Sequence, residues 1–225
     1  MNVYPVYLNK LHEKKTIIVG GNDEAERKVK ELLEVEANIT VISPVLTGDL
    51  RHLVEDGAFE WIPRWYNDND LEGAFMVIVA DFVNDINERV HREAENRGIL
   101  VNVMDDIPHC TFTFGSMIRR GKLTISISSS GAAPTLAVRI REQFEEMFGR
   151  EYEPFLEFMQ RLRKPMANHY PDFHTRRELW YKLVDSDVIK LFREERYEEA
   201  AGLSSAILGS EVVSEVLSGN DYALS

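Results

Sequence analysis

Gly20, Gly21, Asn22, Asp23 and Ala25, inside the stretch IIVGGNDEAERKV (residues 17–29), have the types and order of a loop that holds a pyrophosphate. An apolar β-like run passes through a glycine pair directly into a charged helical segment. At such a turn, free backbone N–H groups and the helix dipole face a bound anion. The first glycine permits the turn, the second lets a phosphate come close, and the third position must be small for packing. Here those positions hold Gly20, Asn22 and Ala25, so asparagine stands where glycine is expected. Asparagine is the non-glycine residue that best tolerates positive φ, so the turn survives it. Its side chain nevertheless occupies space that a phosphate oxygen would use. From this loop alone, a cofactor site and a plain helix-capping turn weigh equally. The second β-like run, NITVISP, ends in Ser43 and Pro44, with neither an acid for a ribose nor an arginine for a 2′-phosphate. Ser43 can bond a ribose weakly, which favours NAD over NADP.

Further groups could also do chemistry. Arg119, Arg120 and Lys122 form a basic cluster in an acidic chain, and Arg139 and Arg141 could extend it. Such a cluster pairs with carboxylates or marks the solvated edge of a hairpin. Ser128, Ser129, Ser130 and Gly131 lead into a helix with Pro134 near its first turn, which suits an anion or simple capping. Asp105 and Asp106 follow the apolar run ILVNV, and on spacing alone both are turn residues at a strand end. Asp81, in VADFVND (79–85) with Phe82 and Val83, ends another strand, where a doubly wound sheet borders the nicotinamide. The six histidines form no metal constellation; His109, near Asp105, is the one to test, while His169 and His174 suit surface or packing roles.

These residues need elements to place them. From residue 15 to about 130, TIIVGG, NITVIS, FEWIP, FMVIVA, ILVNV and KLTISIS alternate with helical patterns, which predicts an α/β fold with a Rossmann-like parallel sheet. Ala25, Val29, Leu32 and Leu33 make one apolar face of the first helix, and Asp23 with Glu26 has the spacing of a capping box at or next to Asn22. Beyond residue 133 the pattern is helical, punctuated by Pro165 and HYPDF. Phe144, Phe148, Tyr152, Phe155 and Phe158 form a stripe suited to core or dimer packing, and the tail SGNDYALS is expected to fray.

The 225-residue chain carries a formal net charge of −12, which argues against nucleic-acid binding. No apolar run reaches membrane-spanning length, the N-terminal stretch lacks a secretory apolar core, and the single cysteine, Cys110, excludes an internal disulfide. Together these predict a cytoplasmic protein with no membrane partner.

VGGNDEAERKV, NERVHREAENRGILVNV, NVMDD and IRRGKLTISISSSGAAPTLAVRIRE occur in an order and spacing that resembles the siroheme synthase N-terminal family, precorrin-2 dehydrogenase and sirohydrochlorin ferrochelatase. The resemblance is dense to residue 142 and looser beyond it. It implies a homodimer with a Rossmann-like NAD-binding domain (1–112), a central dimerisation and substrate segment (113–148) and a C-terminal all-helical domain (149–225). It implies NAD-dependent oxidation of precorrin-2 to sirohydrochlorin, with ferrous iron as a second substrate where the chelatase is present. Asp105 then matches the catalytic aspartate, and with His109 is the candidate contact for iron. Arg119, Arg120, Lys122 and Ser128–Gly131 become substrate contacts, and Gly20, Gly21, Asn22, Asp23, Ala25, Ser43 and Asp81 cofactor contacts. Asn22 departs from the family's glycine. Two rivals stay open: a non-catalytic nucleotide- or tetrapyrrole-binding module, and a chelatase with a decayed NAD site.

Overall fold

The computed structural model describes residues 3–81 and 84–218. Phe82, Val83 and residues 219–225 of the expected frayed tail lie outside the described residues. The chain divides into two compact units, one of Val3–Phe114 and one running from Gly115 onward.

The first unit alternates strand and helix: β1 (Lys15–Val19), α1 (Asp23–Leu33), β2 (Asn38–Ile42), α2 (Gly48–Glu55), β3 (Glu60–Ile62), β4 (Met76–Val79), α3 (Asn84–Arg97) and β5 (Leu100–Val103). All five strands are parallel, in the order β3-β2-β1-β4-β5. Successive strand residues point to opposite faces, so an apolar run feeds two cores at once. Ile18, Val41 and Ile78 pack with Ala25, Val29 and Leu32 of α1 and Leu50 of α2. Ile17, Val77, Val79 and Val101 pack on the other side with Ile86, Val90 and Ala94 of α3. The strand order reverses between β1 and β4, the crevice where open α/β sheets bind ligands. Register pairs Val19 with Ile42 and Val79, and Val79 with Val103, so four strands end level.

KLTISIS does not continue the parallel sheet. It forms β7 (Leu123–Ile127), paired antiparallel with β6 (Ser116–Arg120) in a separate two-stranded sheet. Only Gly121 and Lys122 separate the two strands, too little chain for a parallel crossover, and Gly121 takes φ +54°. Among the described residues six helices follow: α4 (Pro134–Met147), α5 (Tyr152–His169), α6 (Phe173–Val184), α7 (Val188–Arg193), α8 (Tyr197–Leu208) and α9 (Ser210–Leu217).

Pro165 does not punctuate; it lies inside α5, buried. Its missing N–H removes one helical bond, and its ring joins a helix whose inner face, Phe155, Phe158, Leu162 and Met166, meets Leu183, Phe192 and Val213. The aromatic stripe also divides. Phe144, Phe148 and Tyr152 stack in series across the break between α4 and α5, at 5.8 and 5.2 Å. Phe155 and Phe158 turn inward on Phe192, at 5.6 and 5.7 Å. His169, placed at the surface by sequence, bonds Glu215 of α9 at 2.6 Å.

Candidate functional site at the carboxyl edge of the sheet

The loop after β1 is built tightly. Gly20 has φ +119°, and a Cβ there would lie 2.9 Å from the Ala80 carbonyl carbon. A Cβ on Gly21 would lie 2.1 Å from the Val45 oxygen, so that glycine serves the close approach of the loop after β2. Asn22 has φ −88° and ψ −175°, ordinary extended backbone; the positive φ belongs to Gly20. The expectation that Asn22 would carry the left-handed conformation is therefore corrected. What its side chain does is bolt the loop. Its Oδ1 accepts from the Ala25 amide at 3.0 Å, and its Nδ2 donates to the Ala80 carbonyl at 2.6 Å. The helix cap is thus Asn22, and Glu26 does not complete a capping box with Asp23: it accepts from the Thr47 hydroxyl at 2.6 Å and pairs with Lys30 at 2.7 Å.

Asp23, exposed, and Glu24 open α1, and first-turn amides have no intrahelical partner. With the close-packed glycines and the switch-point position, these donors fit a dinucleotide pyrophosphate. The Ala25 amide is already taken by Asn22. Ser43 is buried, and its hydroxyl donates to the Val45 carbonyl at 2.7 Å, so it braces the loop after β2. Asp81 follows β4 at half-burial, beside Ala80, to which Asn22 is tied.

Asp105 follows β5 and is exposed with φ +61°, a left-handed conformation rare outside glycine. The turn behind it is braced at several points. Asp106 Oδ2 lies 2.7 Å from His109 Nδ1, and His91 Nδ1 from α3 lies 3.1 Å from the His109 carbonyl. The two imidazoles meet edge to face at 4.7 Å. These contacts place a proton on Nδ1 of each ring and leave the Nε2 of His109 outside the pair. Cys110 Sγ sits 3.2 Å from both the nitrogen and the oxygen of Val103 and 3.3 Å from the Asp106 carbonyl. Burial pushes the Cys110 thiol up from its usual value, Asp106 adds to the rise, and the Val103 amide opposes it. Asp106, a turn residue by sequence, also orients His109, and His91 was missed. Its signal was spacing: His91 lies one residue beyond Val90, on the edge of the buried face of α3. Among the described residues no group of three or more His, Cys, Asp or Glu side chains is arranged to hold a metal ion.

The second unit holds the other candidates. Arg120 turns inward, donating to the Phe148 carbonyl at 3.0 Å and the Arg119 carbonyl at 2.9 Å. Lys122 is exposed at the hairpin turn. Arg139 and Arg141 pair along α4 with Glu142 and Glu145, at 2.7 and 2.5 Å. Ser128 accepts from the Ser130 amide at 3.1 Å and Ser129 from the Ala133 amide at 3.0 Å. Ser130 and Gly131 both take positive φ, +54° and +79°, which folds the loop back before α4.

Comparison with known proteins agrees with this architecture. An NAD(P)-binding family model matches residues 8–116, the sirohaem biosynthesis protein central model residues 120–147, and the sirohaem synthase dimerisation region residues 151–208. The siroheme synthase of Pseudoalteromonas translucida (strain TAC 125) is 34% identical over 189 residues, covering 84% of this chain and 40% of that protein. The siroheme synthase of Actinobacillus pleuropneumoniae serotype 3 (strain JL03) is 32% identical, covering 92% of this chain and 43% of that protein. The chain thus spans about two fifths of the length of these curated relatives. The solved structure of SirC, precorrin-2 dehydrogenase, superposes with a TM-score of 0.73 at 23% identity, covering 88% of this chain and 98% of that one. Among the described residues no helix is long and apolar enough to cross a membrane. With its NAD(P)-binding, central and dimerisation regions matched in order, the chain belongs to the siroheme synthase family.

Proposed function

We propose that this chain, as a homodimer, oxidises precorrin-2 to sirohydrochlorin with NAD, and that ferrous iron is its second substrate. The observation that carries the reading is the level carboxyl edge of the sheet, where the glycine loop after β1 and the exposed Asp105 after β5 flank the end of β4. Bound NAD would supply the hydride acceptor. The backbone amides from Gly21 to Glu24 would hold its pyrophosphate, and Asp81 would lie on the cofactor side of the end of β4. As hydride leaves the macrocycle a ring proton must also leave, and the Asp105 carboxylate takes it. The braced turn of Asp106, His109 and Cys110 holds Asp105 outward for that transfer. Lys122 and the Ser128–Gly131 loop contact substrate carboxylates. In this reading residues 1–112 bind the cofactor, 113–148 meet substrate and partner, and 149–225 form the helical domain.

One observation favours a second reading, a non-catalytic binder: Asn22 occupies the Ala25 amide, which removes a phosphate donor. An anaerobic assay separates the two. Protein and precorrin-2 are mixed with and without NAD⁺, absorbance is followed, and Fe²⁺ is then added. NAD-dependent appearance of sirohydrochlorin is expected, and a further spectral change on adding iron, faster than without enzyme, would establish the chelatase. Asp105→Asn should lower oxidation by about 100-fold or more while NAD⁺ binding persists. No oxidation at saturating NAD⁺ by folded protein overturns the dehydrogenase reading.

A further inference from the structure

Asp105 holds a left-handed backbone, φ +61°, at the surface beyond β5. A residue with a side chain keeps that conformation only where its surroundings hold it there. The turn that carries Asp105 therefore decides where its carboxylate stands. The feet of this turn are tied to the sheet. The Met104 amide donates to the Val79 carbonyl at 2.9 Å, and the Thr111 amide to the Val101 carbonyl at 2.8 Å. Between them runs a short 3-10 turn, Ile107–His109. The contacts of Asp106 with His109 and of Cys110 with Val103 close the loop on itself and on its own strand. They fix its shape.

α3 supplies a hold from another element. His91 Nδ1 donates to the His109 carbonyl at 3.1 Å, and the two rings meet edge to face at 4.7 Å. The His91 ring is itself gripped: its side chain is 16% exposed, and its Nε2 lies 3.4 Å from Glu95 Oε2, one turn further on. Val90 and Ala94, beside it on α3, are fully buried against the sheet. His91 thus joins the Asp105 turn to a helix that is anchored in the core. An apolar side chain would fill this place without the desolvation cost of ring nitrogens; what histidine adds is the bond to the turn.

We propose that His91 is a positioning residue for Asp105: through the His109 carbonyl it holds the turn so that the carboxylate stands where the substrate's ring proton leaves. The role rests on the function proposed above; the brace itself does not.

The test uses the full chain and two variants. His91→Phe keeps a ring and removes the donor. His91→Asn removes the ring and keeps a donor, because the asparagine Nδ2 takes the place of Nδ1. Each is measured for kcat and KM in NAD-dependent precorrin-2 oxidation, for NAD⁺ affinity by fluorescence titration, and for amide hydrogen exchange over residues 104–111. His91→Phe should lower kcat about tenfold, as for a displaced reacting group, with KM and NAD⁺ affinity little changed. Exchange over 104–111 should quicken in that variant while β1 and β4 stay as protected as in wild type. His91→Asn should recover most of kcat and the wild-type exchange.

Unchanged kcat and exchange in His91→Phe overturn the proposal. So does a parallel loss of kcat, NAD⁺ affinity and protection across the sheet, which would make His91 a packing residue only. If His91→Phe does not fold, His91→Asn is set against His91→Gln, whose amide lies one methylene further out and should miss the carbonyl. Equal kcat and exchange in those two also overturn it. Wild type that oxidises precorrin-2 while His91→Phe matches it sinks the positioning role alone. Wild type that shows the exchange pattern without oxidation sinks the dehydrogenase reading and leaves the brace standing.

Discussion

Asn22 makes two bonds that glycine cannot, to the Ala25 amide and to the Ala80 carbonyl, and each has a consequence. Asn22→Gly should lower stability by about 1 kcal/mol, since glycine is a tolerable cap but the tie to β4 is lost. It should also free the Ala25 amide, so the Kd for NAD⁺ should fall severalfold in a fluorescence titration. Unchanged affinity would mean the asparagine never obstructed the phosphate. The residue's identity and its place at the helix start were legible in the sequence. Its conformation was not, because propensity allows positive φ for asparagine while the chain assigns it to Gly20, which must pass Ala80 closely. Likewise Cys110 is legible only as a lone cysteine. Burial of its sulfur, with Asp106 nearby, raises the thiol pKa against the opposing pull of the Val103 amide, so less thiolate exists at neutral pH. Alkylation by iodoacetamide at pH 7.5 should therefore run slower than with a free thiol and speed up on unfolding in urea. Equal rates would contradict the packing.

At the scale of elements, periodicity found the parallel strands because each is an apolar run buried on both faces, and it found α1 because that helix has one apolar stripe. It misassigned KLTISIS because β6, SMIRR, carries its charges inside a strand and gives no run to pair with. It misread Pro165 because a proline's cost to a helix can be offset by burial of its ring, which no local pattern reports. The β3–β4 connection shows the same limit. Arg64 grips Asp70 with both Nη atoms at 2.7 Å, and the Asn67 amide adds a third bond at 2.7 Å. Burial alone would raise the Asp70 pKa; the Arg64 fork and the Asn67 amide outweigh it and hold it below the usual carboxylate value. A carboxyl lowered on folding contributes stability that is complete above its unfolded pKa, about 3.9, and is lost as pH falls through the lower folded value. Asp70→Asn should then cost about 1–2 kcal/mol at pH 7 in urea unfolding. The difference from wild type should shrink at the acid end. A deficit that persisted unchanged there would assign the effect to shape and not to charge.

For the whole molecule, two regimes were legible: alternating strands and helices first, helices alone later. The place where the first unit closes was less so, because it depends on contacts and not on pattern. Sequence reading ends the cofactor domain at residue 112, whereas the compact unit runs to Phe114. The two extra residues have a physical role. Phe112 and Phe114 pack against the sheet core and each other at 5.2 Å, and the buried Lys28 ammonium lies 3.9 Å over the Phe114 ring. Burial lowers the Lys28 pKa, a sign that its charge is poorly hydrated, while Glu31 pulls the other way at 2.6 Å. Removing Phe114 would leave that charge half-served. The unit has its own two cores and 112 residues, enough to bury a sheet between helices. A fragment of residues 1–114 should therefore melt cooperatively and bind NAD⁺ about as tightly as the full chain. A fragment of residues 1–112 should be less stable by about 1–2 kcal/mol, the value of a desolvated cation–π contact. Equal stability of the two would show that Phe114 contributes nothing there. Loss of NAD⁺ binding from a well-folded 1–114 fragment would show that the cofactor needs more of the chain than the sheet's own edge.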